Sequence, residues 1–384
     1  MTTRPRGDVH GLRSLNATMP YWSERADRYP VVAFADSCLR GIGQVCFMDH
    51  PVSGVLILVA LYLYSPWLGT AAIVGVASAN AAAHLLGIDR VAIRAGLFGF
   101  NGTLVGAGFA TFLSPPWHGT IFAYIIAGAA VSTIVMAALT TILVSTWDVP
   151  PLTLAFNIVT LASFGAALGL ARGHAGELLT PATIHPGGTA GTALRATMAS
   201  AGSYDPAALA NALFRGVSQL FLANSLISGV IIIIGMAVCS RIAAGLALTG
   251  SAIGGAVGIA LGGDGYAIYH GLWGYNSYVT VAAIAGVFLV LSRRTLVLGI
   301  AGAVVSAVLF ATLSLLFTPW GLPALTLPFC LTTLAFLLVK SHVTRIDAVP
   351  LDTLSTPEQH LRQGLSTPEE LLRREADAAP TLHQ

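Results

Sequence analysis

The chain has 384 residues, of which 55% are hydrophobic and 9% charged, with mean hydropathy +0.76 and a formal net charge of +2. Soluble domains carry roughly a quarter of their residues charged, so this composition excludes an ordinary soluble domain and points to an integral membrane protein. The small net charge, without a basic cluster interleaved with aromatics, excludes a nucleic-acid partner.

Residues 1–30 form a polar arm in which Arg4, Arg6, Arg13, Arg25 and Arg28 outnumber Asp8, Glu24 and Asp27. No apolar core of signal-peptide type precedes this run, so the expectation is an uncleaved arm on the cytoplasmic side. Apolar stretches then follow at about 31–47, 51–68, 69–88, 91–113, 119–144 and 152–171. After a linker, 172–206, a second set runs at about 207–221, 222–239, 242–262, 266–292, 295–318 and 324–340. Abundant Gly, Ala and Ser suit helices packed through small residues and fit a barrel of alternating strands poorly, so the expected fold is all-α.

The equal counts signal a repeat. RGIGQVCFMDHPVSGV from Arg40 aligns with RGVSQLFLANSLISGV from Arg215, and LFGFNGTLVG from Leu97 aligns with LWGYNSYVTV from Leu272. VPPLTLAF, Val149 to Phe156, pairs with LPALTLPF, Leu322 to Phe329. The first membrane repeat is therefore 31–171 and the second 207–340.

Five full crossings plus one tilted half-span per repeat would invert the halves, and inverted repeats place the solute path at their interface. The linker lacks the positive bias of an inside loop, which fits an odd number of crossings. The tail, 341–384, turns polar and is expected to be solvated and cytoplasmic. Within it, LSTPEQHLRQ and LSTPEELLRRE read as two helix starts. Cys38, Cys46, Cys239 and Cys330 lie in or beside apolar runs without CxxC spacing and read as small buried hydrophobes, not disulfides or metal ligands.

Arg40, Gln44 and Phe47, repeated as Arg215, Gln219 and Leu222, would share one helix face at i, i+4 and i+7. The arginines are expected to snorkel or anchor a helix end. The glutamines are amides that need partners in lipid, and are placed in the path. Phe100 with Asn101, and Tyr275 with Asn276, put an aromatic and an amide inside apolar runs, with Leu104 and Val279 four residues on. Two aromatics facing across a pseudo-two-fold axis would form a flat slot for a planar solute. Thr153 and Thr326 add a hydroxyl each.

No charge is duplicated deep in the runs, which disfavours an ion- or proton-coupled carrier of a small amide, the alternative reading. A non-transporting scaffold would leave the duplicated amides unexplained. No nucleophile elbow, HExxH or Walker motif occurs, so neither catalytic residues nor a metal or other cofactor is expected.

These motifs, in this order in both halves, resemble the urea transporter family over about residues 35–340. The resemblance implies passive, channel-like urea conduction in the inner membrane, in a homotrimer whose protomers each hold a pore between two inverted halves. It also implies filter and ladder oxygens at Gln44, Thr153, Gln219 and Thr326, and a slot made by Phe47, Phe100, Leu104, Leu222, Tyr275 and Val279. Leu222 replaces an aromatic found in some members, Tyr275 stands where phenylalanine is usual, and Ala155 replaces the proline of the first signature.

Overall fold

Proline sets where several helices begin. A computed structural model describes residues 18–169, 174–175, 188–202, 206–342 and 346–364. In it α1 (Pro20–Ala26), α2 (Pro30–Gln44), α3 (Pro51–Tyr64) and α4 (Pro66–Leu85) all start on proline, whose fixed φ and missing N–H suit the first turn. There follow α5 (Arg90–Arg94), α6 (Gly99–Phe112), α7 (Gly119–Trp147), α8 (Leu154–Gly169) and α9 (Ala190–Ala199). The second half runs α10 (Ala207–Ser218), α11 (Leu226–Cys239), α12 (Arg241–Ala260), α13 (Gly265–Tyr269), α14 (Tyr275–Ala282), α15 (Arg293–Phe317) and α16 (Leu327–Leu338), and α17 (Pro357–Gly364) lies in the tail.

Among the described residues, four stretches are each long and apolar enough to cross a membrane alone: Pro66–Leu85, Gly119–Trp147, Arg241–Ala260 and Arg293–Trp320. Others are shorter; the 14 residues of α3 rise only ~21 Å against a hydrocarbon core of ~30 Å. The architecture is the all-α membrane bundle that composition implies.

The two apolar runs that carry Gly and Asn mid-segment are broken. Segment 91–113 is α5, a turn and α6, and segment 266–292 is α13, a turn, α14 and a π-turn over Ala283–Val287. The breaks fall at Gly96 and Gly271, whose φ values are +76° and +78°. At each, the chain closes a left-handed cap: Leu97 N–H donates to Ala92 O at 3.1 Å and Leu272 N–H to Ala267 O at 3.0 Å. A Cβ would stand 2.5 Å from Gly41 N in one copy and 2.2 Å from Gly216 N in the other, so both backbone conformation and close approach demand glycine.

The expected face of Arg40, Gln44 and Phe47 is also cut short. Here α2 ends at Gln44, and Phe47 follows in a left-handed conformation, φ +64°; Leu222 does the same at +61°, after α10. Beyond this break α11 leaves at 74° to α10.

The halves exchange equivalent contacts. Ser53 Oγ donates to Gly235 O at 2.7 Å, and Ser228 Oγ donates to Ala60 O at 2.9 Å. Both pairs are 175 residues apart in the alignment, and such i-to-j, j-to-i contact is the pattern a two-fold relationship produces.

The described part of the tail is docked rather than solvated. Leu289 bridges Ala348 antiparallel, Val290 N–H donates to Asp347 O at 2.9 Å, and Val349 N–H donates to Phe288 O at 2.9 Å. The Glu358 carboxylate accepts from Ser240 Oγ at 2.7 Å and Ile242 N at 3.0 Å, which caps the start of α12. Ile346, Leu351 and Leu354 pack on the core. Backbone groups left open after the π-turn and these apolar side chains give the tail something to bind, which a count of polar residues overlooks. The first expected tail helix is α17; the second, LSTPEELLRRE, lies outside the described residues.

His360 latches this tail. It is 1% exposed; its Nε2 accepts from Ser355 N at 2.9 Å, so the ring proton sits on Nδ1 and donates to Gly286 O at 3.3 Å. Burial pushes its pKa below the usual histidine value, and the Gly286 carbonyl offsets this in part. The undocked tail therefore binds a proton more readily, so docking is complete above the ordinary histidine pKa and weakens as pH falls below it. Protection factors for hydrogen exchange in residues 346–364, taken relative to the intrinsic rate at each pH, are expected to fall from pH 8 to pH 5 in the native protein, and this fall is expected to be lost in His360→Gln.

Candidate functional site

Both threonines stand where a helix begins. Thr153 precedes α8, Thr326 is the N-cap of α16, and each follows a leucine with positive φ, Leu152 at +54° and Leu325 at +49°. The first-turn N–H groups of a helix need outside acceptors. Asn101 Oδ1 accepts from Phe156 N at 3.0 Å, and Asn276 Oδ1 accepts from Phe329 N at 3.1 Å. The duplicated asparagines thus cap the helix that follows the threonine, not their own.

This arrangement brings the two threonines together: Thr153 Oγ1 lies 2.7 Å from Thr326 Oγ1, both side chains buried. Two helix N-termini converge there, so the partial positive charge of each is aimed at one point. That field favours a carbonyl oxygen and repels a cation.

The glutamines answer the broken helices. Gln44 Nε2 donates to Ala95 O and Gln219 Nε2 donates to His270 O, both at 2.9 Å, so each satisfies a carbonyl just before the positive-φ glycine. With the amide nitrogen committed, the oxygen is left to face elsewhere. Gln219 Oε1 is buried without a partner.

A cavity of about 30 Å³ lies here, lined by Gln219, Leu222, Tyr275 and Thr326 together with Phe112, Phe156 and neighbouring residues. Four of the ten expected site residues therefore share one cavity, and Thr153 touches it through Thr326. Gln44, Phe47, Phe100, Leu104 and Val279 do not line it. Phe100, Leu104 and Val279 are buried in the core, and Phe47 packs edge-on against Phe329 at 6.2 Å and Phe288 at 5.9 Å. Tyr275 is held by its hydroxyl, which donates to Leu325 O at 2.7 Å, and Asn276 Nδ2 donates to the same carbonyl at 3.1 Å. Its ring meets Phe310 edge-on at 5.6 Å.

Sequence reasoning missed Asn157. Its Nδ2 donates to Thr153 O at 2.8 Å and to Thr326 Oγ1 at 2.9 Å. The signal was its spacing: one helical turn after Thr153, on the face that carries the hydroxyl.

Both arginines anchor helix ends, one of the two roles expected of them. Arg40 is 2% exposed; its Nε bonds Asp36 Oδ2 at 2.7 Å, Nη1 bonds Asp49 Oδ1 at 2.6 Å, and Nη2 donates to Ser23 Oγ at 2.7 Å. It knots α1, α2 and the turn before α3. Arg215 lies against neutral groups: Asn224 Oδ1 at 2.6 Å, His270 Nδ1 at 3.2 Å and the Tyr269 ring at 4.9 Å. Each arginine finds acceptors at the adjoining helix break.

A helical membrane bundle of two similar halves, with the duplicated threonine hydroxyls meeting at a buried seam, defines a membrane protein built to admit a small polar solute. The urea transporter family profile matches residues 35–341, and the chain belongs to that family. It is 33% identical over 338 residues to urea transporter 1 of Ovis aries, covering 87% of this chain and 84% of the relative. Urea transporter 1 of Mus musculus is 32% identical over 334 residues with the same coverage, and that of Rattus norvegicus 31% over 359 residues, covering 92% and 91%.

Proposed function

We propose that the protein conducts urea passively down its gradient, through a path along the seam between its two halves. The observation that carries this reading is the threonine pair at 2.7 Å beside a cavity that also receives Gln219 and Tyr275, in a chain of the urea transporter family. Oxygen acceptors there replace the water shell of a neutral amide, without which each unpaired polar group costs ~2 to 7 kcal/mol. Weak binding at several such sites lets the solute leave.

Gln44, Thr153, Gln219 and Thr326 serve as acceptors along the path, while Phe47, Phe100, Leu104, Leu222, Tyr275 and Val279 form its apolar walls. Backbone strain supports two of these wall positions. A left-handed conformation costs a residue other than glycine roughly 1–2 kcal/mol, yet Phe47 and Leu222 both adopt it at equivalent cap positions. A side chain kept where glycine would relieve strain is there for what it touches.

The halves are inverted across the membrane, each with about five crossings and a tilted half-span. The reciprocal Ser53 and Ser228 bonds support the two-fold. Both termini are cytoplasmic, the linker 172–206 lies on the opposite side, and the protein is a homotrimer in the inner membrane. The chain acts as a transporter, not an enzyme.

Stopped-flow urea efflux from proteoliposomes tests this, with and without a pH or sodium gradient. Efflux well above protein-free vesicles and insensitive to both gradients is expected. Thr326→Val and Gln219→Leu should each slow it about tenfold, the worth of one well-placed hydrogen bond. Rates at the vesicle background would sink the urea reading, and gradient dependence would move it to a coupled carrier.

A further inference from the structure

One turn after each central threonine stands a side chain that the duplication does not preserve. Asn157 in the first half pairs with Cys330 in the second, 173 residues apart like the threonines themselves. Each reaches across the seam to the other half's hydroxyl: Asn157 Nδ2 to Thr326 Oγ1 at 2.9 Å, Cys330 Sγ to Thr153 Oγ1 at 3.1 Å. The contact is reciprocal, but its chemistry is not.

Both amide protons of Asn157 are committed, one to Thr153 O and one to Thr326 Oγ1. An amide nitrogen only donates, so Thr326 Oγ1 must accept there, which leaves its own proton for Thr153 Oγ1 or a solute oxygen. A thiol is a weak partner in either sense, so Thr153 is not tied in the same way. The two hydroxyls at the centre of the seam are therefore unequal.

Meanwhile Asn157 is 1% exposed and its Oδ1 has no partner. An orphaned buried acceptor costs ~1 to 3 kcal/mol, and one in a native structure calls for an explanation. Gln219 Oε1, the acceptor at the adjoining cavity, is orphaned as well. Two unused acceptors and two hydroxyls at one polar seam are complementary to a solute rich in N–H donors.

The geometry points to Asn157 as a solute-positioning residue: its Nδ2 orders the Thr326 hydroxyl, and its Oδ1 accepts an N–H from the solute passing the threonine pair. The assignment rests on the proposed urea path and extends it to solute choice. Urea carries an –NH₂ at both ends and acetamide at one, so an acceptor placed here favours diamides over monoamides.

The test compares urea and acetamide permeability in proteoliposomes of wild-type protein and Asn157→Cys, which copies the residue already accommodated at the equivalent position. Urea flux is expected to fall about tenfold and acetamide flux by less, so the urea:acetamide ratio collapses. Asn157→Ser, smaller than the native residue, gives the same comparison if Asn157→Cys does not yield folded protein. An unchanged ratio, whether or not both fluxes fall, overturns the assignment, because equal loss marks a merely structural role. A wild-type protein that conducts neither solute overturns the urea path itself, and this inference with it.

Discussion

Gly54→Ala is expected to prevent recovery of folded protein. A Cβ at Gly54 would stand 2.0 Å from the carbonyl oxygen of Leu39, and one at the equivalent Gly229 would stand 2.0 Å from that of Phe214. The obstacle in each copy is backbone, which cannot rotate away as a side chain does. Separating α2 from α3 would disturb the helix that bears Gln44, and separating α10 from α11 the one that leads to Gln219. Overpacking a core by a methylene typically costs ~1 to 3 kcal/mol, and a backbone clash at half the normal contact distance exceeds that range. Size-exclusion chromatography in detergent after mild heating would show the loss as aggregation in both Gly54→Ala and Gly229→Ala. Gly255→Ala, where a Cβ meets open space, is the matched control and should elute as wild type. A normal, heat-stable peak for Gly54→Ala would refute the close crossing of α2 and α3.

The second large effect concerns the unequal arginines. Arg40→Leu leaves Asp36, 3% exposed, and Asp49 without the cation that both carboxylates bind. Breaking a buried pair from one side costs ~3 to 5 kcal/mol, because a buried charge is stranded. Arg215→Leu strands no carboxylate among the described residues and gives up hydrogen bonds to Asn224 and His270, at ~1 to 3 kcal/mol. Thermal midpoints in detergent should therefore order wild type above Arg215→Leu above Arg40→Leu. Adding Asp36→Asn to Arg40→Leu should recover part of the loss. Equal destabilisation by the two leucine variants would contradict the asymmetry.

That asymmetry shows how far the primary structure could be read. An alignment of the halves pairs Arg40 with Arg215, yet the partners differ because Asp49 aligns with Asn224 and Ala95 with His270. The expectation that each arginine snorkels or anchors a helix end left its partners unnamed. Arg40 takes Asp36 one turn back and Asp49 nine residues on, while Arg215 takes Asn224 nine residues on and His270 at a helix break 55 residues on. The glutamines show the same limit. Their pairing was legible from the repeat, but their engagement with Ala95 and His270 was not, since it depends on where the following span breaks. The tail went the other way: polar composition suggested solvation, and only the edge left by Phe288 to Val290 shows what it binds.

Composition settled the membrane class, and its abundance of small residues the all-α fold over a barrel, because such residues let helix backbones approach closely whereas a barrel needs alternating strands. The internal repeat, read at 175 and 173 residues, paired the threonines, asparagines and glutamines before any geometry was known. The primary structure carries that much because helix content follows from local apolar runs and a duplication is a comparison of the sequence with itself. Tertiary structure decided what those pairs meet: that Thr153 contacts Thr326, that Asn101 and Asn276 cap the helices that follow the threonines, and that Asn157 donates to Thr326 Oγ1. Each of these is a contact between residues dozens to well over a hundred positions apart, fixed by positive-φ turns and close helix crossings that no periodicity records.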